Sequence, residues 1–202
     1  IFLKELEEET GKRDATLIMH TDPYDPEGPN LIMTAEMLGI HNNVFFSTDR
    51  LEFDKMNILY NISDVTLSLS YAEGFGLSTL ESMQAGTPII ASKTGGLTRQ
   101  VVDHRDQTHN GVALDIDCKS LVGSQTVPYI YEDYVKPESA AEAIMKIYKN
   151  SDSEKAELSR KVIDYANSEF AHQNTIDLWH ETLLEVHENW KERYKRWECL
   201  SM

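Results

Sequence analysis

The sequence is poor in cysteine, with only Cys118 and Cys199 among 202 residues and no CxxC pair. That excludes a disulfide scaffold and a cysteine-built zinc site, and it fits a reducing compartment. Positive charge is also scarce: 19 Lys and Arg stand against 34 Asp and Glu, a formal net charge of −15. A chain this acidic carries no net field to gather nucleic acid or an anionic membrane. No apolar run approaches the roughly 18 residues that a membrane span needs. The opening IFLKELEEETGKRD has no basic n-region, so neither a transmembrane segment nor a signal peptide is expected, and the expected location is cytoplasmic. The opening also lacks an initiating Met, which suggests a piece of a longer chain. There are no internal repeats and no low-complexity tracts. What is present is an ordinary globular composition, 41% hydrophobic and 26% charged. The length suits one large domain or two small ones, able to bury roughly 70% of the surface an unfolded chain exposes.

Short apolar, β-branched runs at 15–20, 44–48, 65–70, 88–92 and 111–115 read as strands, each bounded by turn residues. Helical patterns at 30–38, 54–62, 78–85 and 97–102 lie between them. That alternation predicts βαβ units and a parallel sheet, whose ligand sites lie at the carboxyl ends of the strands. The loops after Ser70 and Ser92 are therefore the places to look for chemistry. Residues 117–137 break the rhythm, with Gly123, Pro128, Pro137 and three tyrosines. An ordered insertion and a plain surface loop are both open readings of this segment. Helices are predicted at 140–149 and 154–170. From about Asn174 a stripe of Ile176, Trp179, Leu183, Val186, Trp190, Tyr194 and Trp197 recurs at spacings of three and four. Such a stripe is an amphipathic helix seeking an apolar surface. Packing on its own domain is expected for Ile176 to Val186, whereas Trp190 to Trp197 are expected to reach a partner.

One stretch carries the chemistry, LSYAEGFGLSTLESMQAGTPIIASKTGG at 69–96. It leaves a strand, passes Gly74-Phe75-Gly76, enters a helix at Ser78 and stops at Gly86-Thr87-Pro88. The glycines permit positive φ and close approach of a ligand. The helix start offers free N–H groups and the positive end of its dipole, a combination suited to phosphate. The fuller G-x-G-x-x-G fingerprint is not completed, because Thr79 stands where the third glycine belongs. Two carboxylates flank the turn. Glu73 sits in the loop, where it reads either as a cleft residue or as a solvated acid. Glu81 sits on the helix, where Ser78-Thr79-Leu80-Glu81 also reads as a capping box.

EGFGLSTLE, from Glu73 to Glu81, resembles the E-x7-E signature of retaining glycosyltransferases of the GT-B fold, family 4 or group 1 type. The neighbouring motifs are similar too. They are Tyr60-Asn61-Ile62-Ser63-Asp64-Val65, the run SMQAGTPIIAS at 82–92, the pair Gly95-Gly96, and Asn110-Gly111-Val112-Ala113-Leu114. The resemblance covers about 17–149. It implies an α/β fold: a Rossmann-like parallel sheet flanked by helices, one half of a GT-B fold, with a C-terminal helical extension. It divides the chain into a nucleotide-sugar-binding domain at 1–170 and a C-terminal helix at 171–202 that docks on a missing N-terminal acceptor-binding domain or on a partner. It implies a nucleotide-diphosphate sugar, UDP- or GDP-linked, as donor substrate, with no cofactor and no metal. Glu73 would face the donor sugar as the catalytic carboxylate, and Glu81 would accept hydrogen bonds from the ribose. Gly74, Phe75, Gly76, Leu77, Ser78 and Thr79 would meet the sugar or the diphosphate through backbone groups.

The departures from the family matter as much. Its diphosphate-gripping Arg and Lys belong to a segment that precedes Ile1, so this chain alone is expected to be inactive. Arg99 stands where an acid commonly follows the paired glycines. Lys93 and Arg99 are open to two readings, phosphate contact or solvated surface. Asp22 reads equally as a ligand contact or as a turn former. His172, His180 and His187 roughly share a helix face, but no HExxH or carboxylate set makes them a metal site. Asn61-Ile62-Ser63 matches a glycosylation sequon but falls in a predicted helix. A non-catalytic nucleotide-sugar-binding or assembly module is the alternative function. A nicotinamide-dependent dehydrogenase would need the completed fingerprint after the first strand, which is absent.

Overall fold

Five short apolar runs form parallel strands, and the helices between them are the crossovers that parallel pairing demands. The computed structural model describes residues 1–193, apart from the side chain of Phe53. Strands β1 (Leu17–His20) and β2 (Val44–Ser47) pair in parallel, with Leu17 opposite Val44. Strands β3 (Thr66–Ser68), β4 (Ile89–Ser92) and β5 (Gly111–Leu114) form a second parallel sheet in the order β3-β4-β5. The expected single sheet is thus divided in two. Among the described residues β1 pairs only with β2, and β3 only with β4. Helix α2 (Leu31–Met37) joins β1 to β2 and α3 (Phe53–Asn61) joins β2 to β3. An apolar cavity of about 450 Å³, lined in part by Ile18, Phe45, Ile58, Leu59 and Ile62, lies between α3 and the β1–β2 pair.

The second sheet is the better packed of the two. All four residues of β4 are buried, as expected for a central parallel strand covered on both faces. Its period of two divides the core. Ile89 and Ala91 join Met83 of α4 (Leu77–Gln84), Leu97 and Val101 of α5 (Leu97–Val101), and Val162, Tyr165 and Ala166 of α7 (Asp152–Glu169). Ile90 faces the other way, onto Leu114 and onto Ala140, Ala143 and Ile147 of α6 (Pro137–Tyr148). Helix α7 opens on a capping box in which Ser151 and Glu154 exchange hydrogen bonds. Helix α1 (Phe2–Thr10), which the sequence reading passed over, packs on α6 with the Phe2 and Tyr148 rings edge to face at 6.3 Å.

Residues 117–137 hold an ordered insertion. Strands β6 (Cys118–Val122) and β7 (Ile130–Tyr134) pair antiparallel, with Cys118 opposite Tyr134. The hairpin is fastened to the loop that leaves β3. The Asp133 N–H donates to the Tyr71 carbonyl at 2.7 Å, and the Tyr71 and Tyr134 rings lie 4.3 Å apart.

Helix α8 (His172–Arg193) has no buried residue. The expected packing of Ile176 to Val186 on their own domain is therefore not found: Ile176, Trp179, Leu183 and Val186 are all exposed, as is Trp190. The apolar stripe exists, but no surface among the described residues meets it. Tyr194, Trp197 and Cys199 lie outside the described residues. No described helix is long and apolar enough to cross a membrane.

Candidate functional site

The carboxyl ends of β3 and β4 release two loops, 69–76 and 93–96, that lie against each other. Ser92 Oγ donates to the Ser70 carbonyl at 2.9 Å, and the Gly96 N–H donates to the Glu73 carbonyl at 3.1 Å. The paired glycines make this approach possible. A Cβ on Gly95 would stand 1.9 Å from the Glu73 carbonyl oxygen, and one on Gly96 would stand 2.6 Å from that of Gly74. Any side chain at either position would part the loops.

Gly76 carries the chain into α4 with φ 90°, a conformation that suits glycine and few other residues. Helix α4 consequently begins at Leu77, not at Ser78, and no side chain caps it. This overturns the capping-box reading, because Ser78 lies inside the first turn and Glu81 is beyond the reach of a box. Glu81 points instead to α3, where its Oε2 accepts the Tyr60 hydroxyl at 2.9 Å. Burial, with the Glu81 carboxylate beside it, pushes the Tyr60 phenol well above its ordinary value. Tyr60 thus remains a donor at any physiological pH and holds one carboxylate oxygen. The other oxygen of Glu81 has no hydrogen-bond partner among the described residues.

Glu73 folds over its own loop. Its Oε1 accepts the N–H groups of Phe75 at 3.2 Å and Gly76 at 3.1 Å. The expectation that N–H groups from Gly76 to Thr79 all face a ligand is narrowed accordingly. Glu73 holds the Gly76 N–H, and Thr79 is fully buried. Leu77 and Ser78 are exposed, and their N–H groups find no acceptor among the described residues. Phe75 turns its ring edge-on to Phe170 at 5.9 Å. Gly74 is exposed, has no positive φ, and has open space where a Cβ would stand. Its value to the site is therefore room, not conformation.

Two residues that the sequence reading passed over fasten this geometry. One is Tyr60, quoted only as part of a motif. The other is Gln100 of α5, fully buried, whose Nε2 donates to the carbonyls of Phe75 at 2.6 Å and Gly76 at 3.1 Å. Its Oε1 accepts the Thr79 hydroxyl at 2.5 Å. No local pattern marks Gln100, since all three partners lie more than twenty residues away in sequence.

The other candidates are held by partners outside the two loops. Lys93 pairs with Asp115 at 2.6 Å, and the Arg99 Nε donates to Glu169 at 2.9 Å, so both follow the surface reading. Asp22 accepts the Tyr24 N–H at 2.9 Å, the turn reading. The Asn61 amide donates to Asn57 within α3. Asp115-Ile116-Asp117 is a D-x-D spacing that the sequence reading missed, and lysines hold both of its acids. Asp117 pairs with Lys136 at 2.9 Å, and the Lys136 bonds hold its carboxyl below the usual carboxylate range. His172, His180 and His187 are exposed on α8, and no group of three potential metal ligands is found among the described residues.

Comparison with known proteins agrees with the geometry. The family model described as glycosyl transferases group 1 matches residues 25–169. The N-acetyl-alpha-D-glucosaminyl L-malate synthase of Bacillus anthracis is 28% identical over 152 residues, covering 75% of this chain and 38% of that protein. The D-inositol 3-phosphate glycosyltransferase of Salinispora arenicola (strain CNS-205) is 38% identical over 86 residues, covering 43% of this chain and 18% of that protein. The chain thus spans well under half the length of these relatives. Among solved structures, a glycosyltransferase from Rickettsia africae ESF-5 superposes with a TM-score of 0.61 at 18% identity, covering 95% of this chain and 44% of that one. Anabaena HepE in complex with UDP gives 0.58 at 16% identity, covering 91% of this chain and 52% of that one.

Proposed function

The chain belongs to the group 1 glycosyl transferases, and from that premise we propose that it is the donor-binding half of a retaining, metal-independent transferase. The enzyme would move a sugar from a UDP- or GDP-linked donor to an acceptor held by an N-terminal domain. One observation carries this reading: two exposed, unpartnered N–H groups, on Leu77 and Ser78, open α4 between two carboxylates. Helix N–H groups and the positive end of the dipole suit a diphosphate. An acceptor-only carboxylate suits a diol, so Glu81, steadied by Tyr60, takes the ribose hydroxyls and Glu73 takes those of the donor sugar.

In this mechanism the helix N–H groups stabilise charge on the departing diphosphate, and the carboxylates orient the sugar at the interdomain cleft. The chain spans well under half the length of its relatives, and by itself it is expected to transfer no sugar. Calorimetric titration with UDP, UDP-glucose and GDP tests the reading. Saturable binding of one nucleotide, without multiple-turnover transfer by the purified chain, is the expected result. No binding by a folded chain, or sustained transfer by it, contradicts the reading.

Glu73 makes a separate prediction. Its carboxylate occupies two N–H groups on the ligand side of the loop. Glu73→Gln keeps an acceptor oxygen there and removes a negative charge beside the diphosphate. UDP affinity is expected to rise a few-fold, while the preference for UDP-glucose over UDP shrinks. A preference that survives the substitution would remove Glu73 from the sugar.

A further inference from the structure

We infer that Gln100 is a positioning residue for the diphosphate site, an assignment that rests on the donor-binding reading. Its amide draws the carbonyls of Phe75 and Gly76 inward and thereby aims the Gly76 N–H at Glu73 and the Leu77 N–H toward the ligand.

The argument is one of peptide geometry. In a trans peptide the C=O and N–H of one plane point in opposite directions, and no described peptide here is cis. The Phe75 carbonyl receives Gln100 Nε2 at 2.6 Å, so the N–H of that plane, on Gly76, points away from Gln100. There it meets Glu73 Oε1 at 3.1 Å, on the partly exposed side of the loop. The same plane is thus held from both sides. The Gly76 carbonyl receives the other Gln100 proton at 3.1 Å, beside the Thr79 hydroxyl at 2.8 Å and the Leu80 N–H at 3.2 Å, and these three donors together direct the Leu77 N–H outward. That group has no acceptor among the described residues and is one of the two offered to the diphosphate.

The orientation of Gln100 is itself determined. Carbonyl oxygens only accept, so the end of the side chain facing Phe75 and Gly76 must be the NH₂. Its oxygen then faces the Thr79 hydroxyl at 2.5 Å. The backbone of Gln100 is anchored in turn, because Asn110 Nδ2 donates to its carbonyl at 2.8 Å. Gln100, Thr79 and Asn110 are all fully buried.

Gln100→Met tests this, since it keeps the volume and removes the amide. Wild type and variant are titrated, by calorimetry or by NMR, with UDP and uridine and with GDP and guanosine. A positioning role predicts that the ratio of nucleotide to nucleoside affinity falls at least tenfold in a folded variant, with the backbone amide signals of Gly76 and Leu77 displaced. Equal weakening of nucleotide and nucleoside, or an unchanged ratio, overturns the assignment while leaving the donor reading in place. If the wild type binds neither nucleotide, the donor reading fails and the assignment falls with it. Should the Met variant not fold, Thr79→Val removes the hydroxyl that braces both the Gln100 Oε1 and the Gly76 carbonyl. It is expected to lower the same ratio, and an unchanged ratio there is likewise fatal.

Discussion

Gly95→Ala is expected to lower the melting temperature by about 10 °C and to abolish nucleotide binding, whereas Gly74→Ala leaves the melting temperature nearly unchanged. Gly95 has φ 45°, and an added Cβ would lie 1.9 Å from the carbonyl oxygen of Glu73. Ordinary contact needs more than an ångström beyond that. The obstacle is backbone, so no rotamer change relieves it. Loop 93–96 must move away from loop 69–76, which breaks the hydrogen bond from the Gly96 N–H to Glu73. Backbone strain and the lost hydrogen bond between the loops together cost about 3–5 kcal/mol, at the upper end for a single substitution. A chain of this size loses about 2–4 °C per kcal/mol. At Gly74 the same methyl meets nothing within 4 Å. Thermal melts of the two variants, with UDP titrations of each, check the contrast. A Gly95→Ala protein that melts with the wild type would mean that the loops are not held together as described.

Glu81→Ala is expected to weaken nucleotide binding about 10- to 100-fold while the fold persists. A hydrogen bond to a charged acceptor contributes about 1.5–3 kcal/mol, and each 1.4 kcal/mol is roughly tenfold in affinity. Glu81 is partly exposed and has one hydrogen-bond donor, Tyr60, on the neighbouring helix. Removal leaves the phenol without its acceptor, so a modest loss of stability accompanies the loss of affinity. Tyr60→Phe separates the two effects. It frees Glu81 from its anchor without removing the carboxylate, and affinity should fall only a few-fold. Because Tyr60 is held protonated, binding through this pair should not change between about pH 6 and pH 9. Equal affinities of wild type and Glu81→Ala for UDP would take the ribose away from Glu81.

The exposed stripe on α8 bears on the same experiments. Trp179 and Trp190 are 62% and 49% exposed, so isolated chains carry a large uncovered apolar surface. Ligand titrations therefore belong at low protein concentration, where self-association through this face does not compete with binding.

Local chemistry made much of this protein readable. The five parallel strands and four crossover helices followed from short β-branched runs separated by helical periods, and each was found within a residue or two of its expected place. The glycines and the flanking carboxylates Glu73 and Glu81 were likewise apparent as a pattern. The hairpin was only an open possibility, for a physical reason. Four of the five residues of β6 are exposed, so the alternation that announces a half-buried strand is missing. Helix α1 did leave a signal, in Phe2, Leu3 and Leu6 at helical spacing, with Leu6 fully buried.

What the sequence determined by itself is the order of elements and the residue types at the site, because both are properties of neighbours in the chain. What only the tertiary structure decided is how those residues are used. A capping box and a buried clamp look alike when only neighbours are compared. Ser78 and Glu81 have the spacing of a box, yet the positive φ of Gly76 starts the helix early and Tyr60, twenty-one residues away, claims the carboxylate. Gln100 is unremarked in sequence, yet it holds the loop because the paired glycines bring α5 within reach of it. Hydrogen bonds between distant segments leave no periodicity, and here they anchor Glu81 and the turn at Phe75 and Gly76.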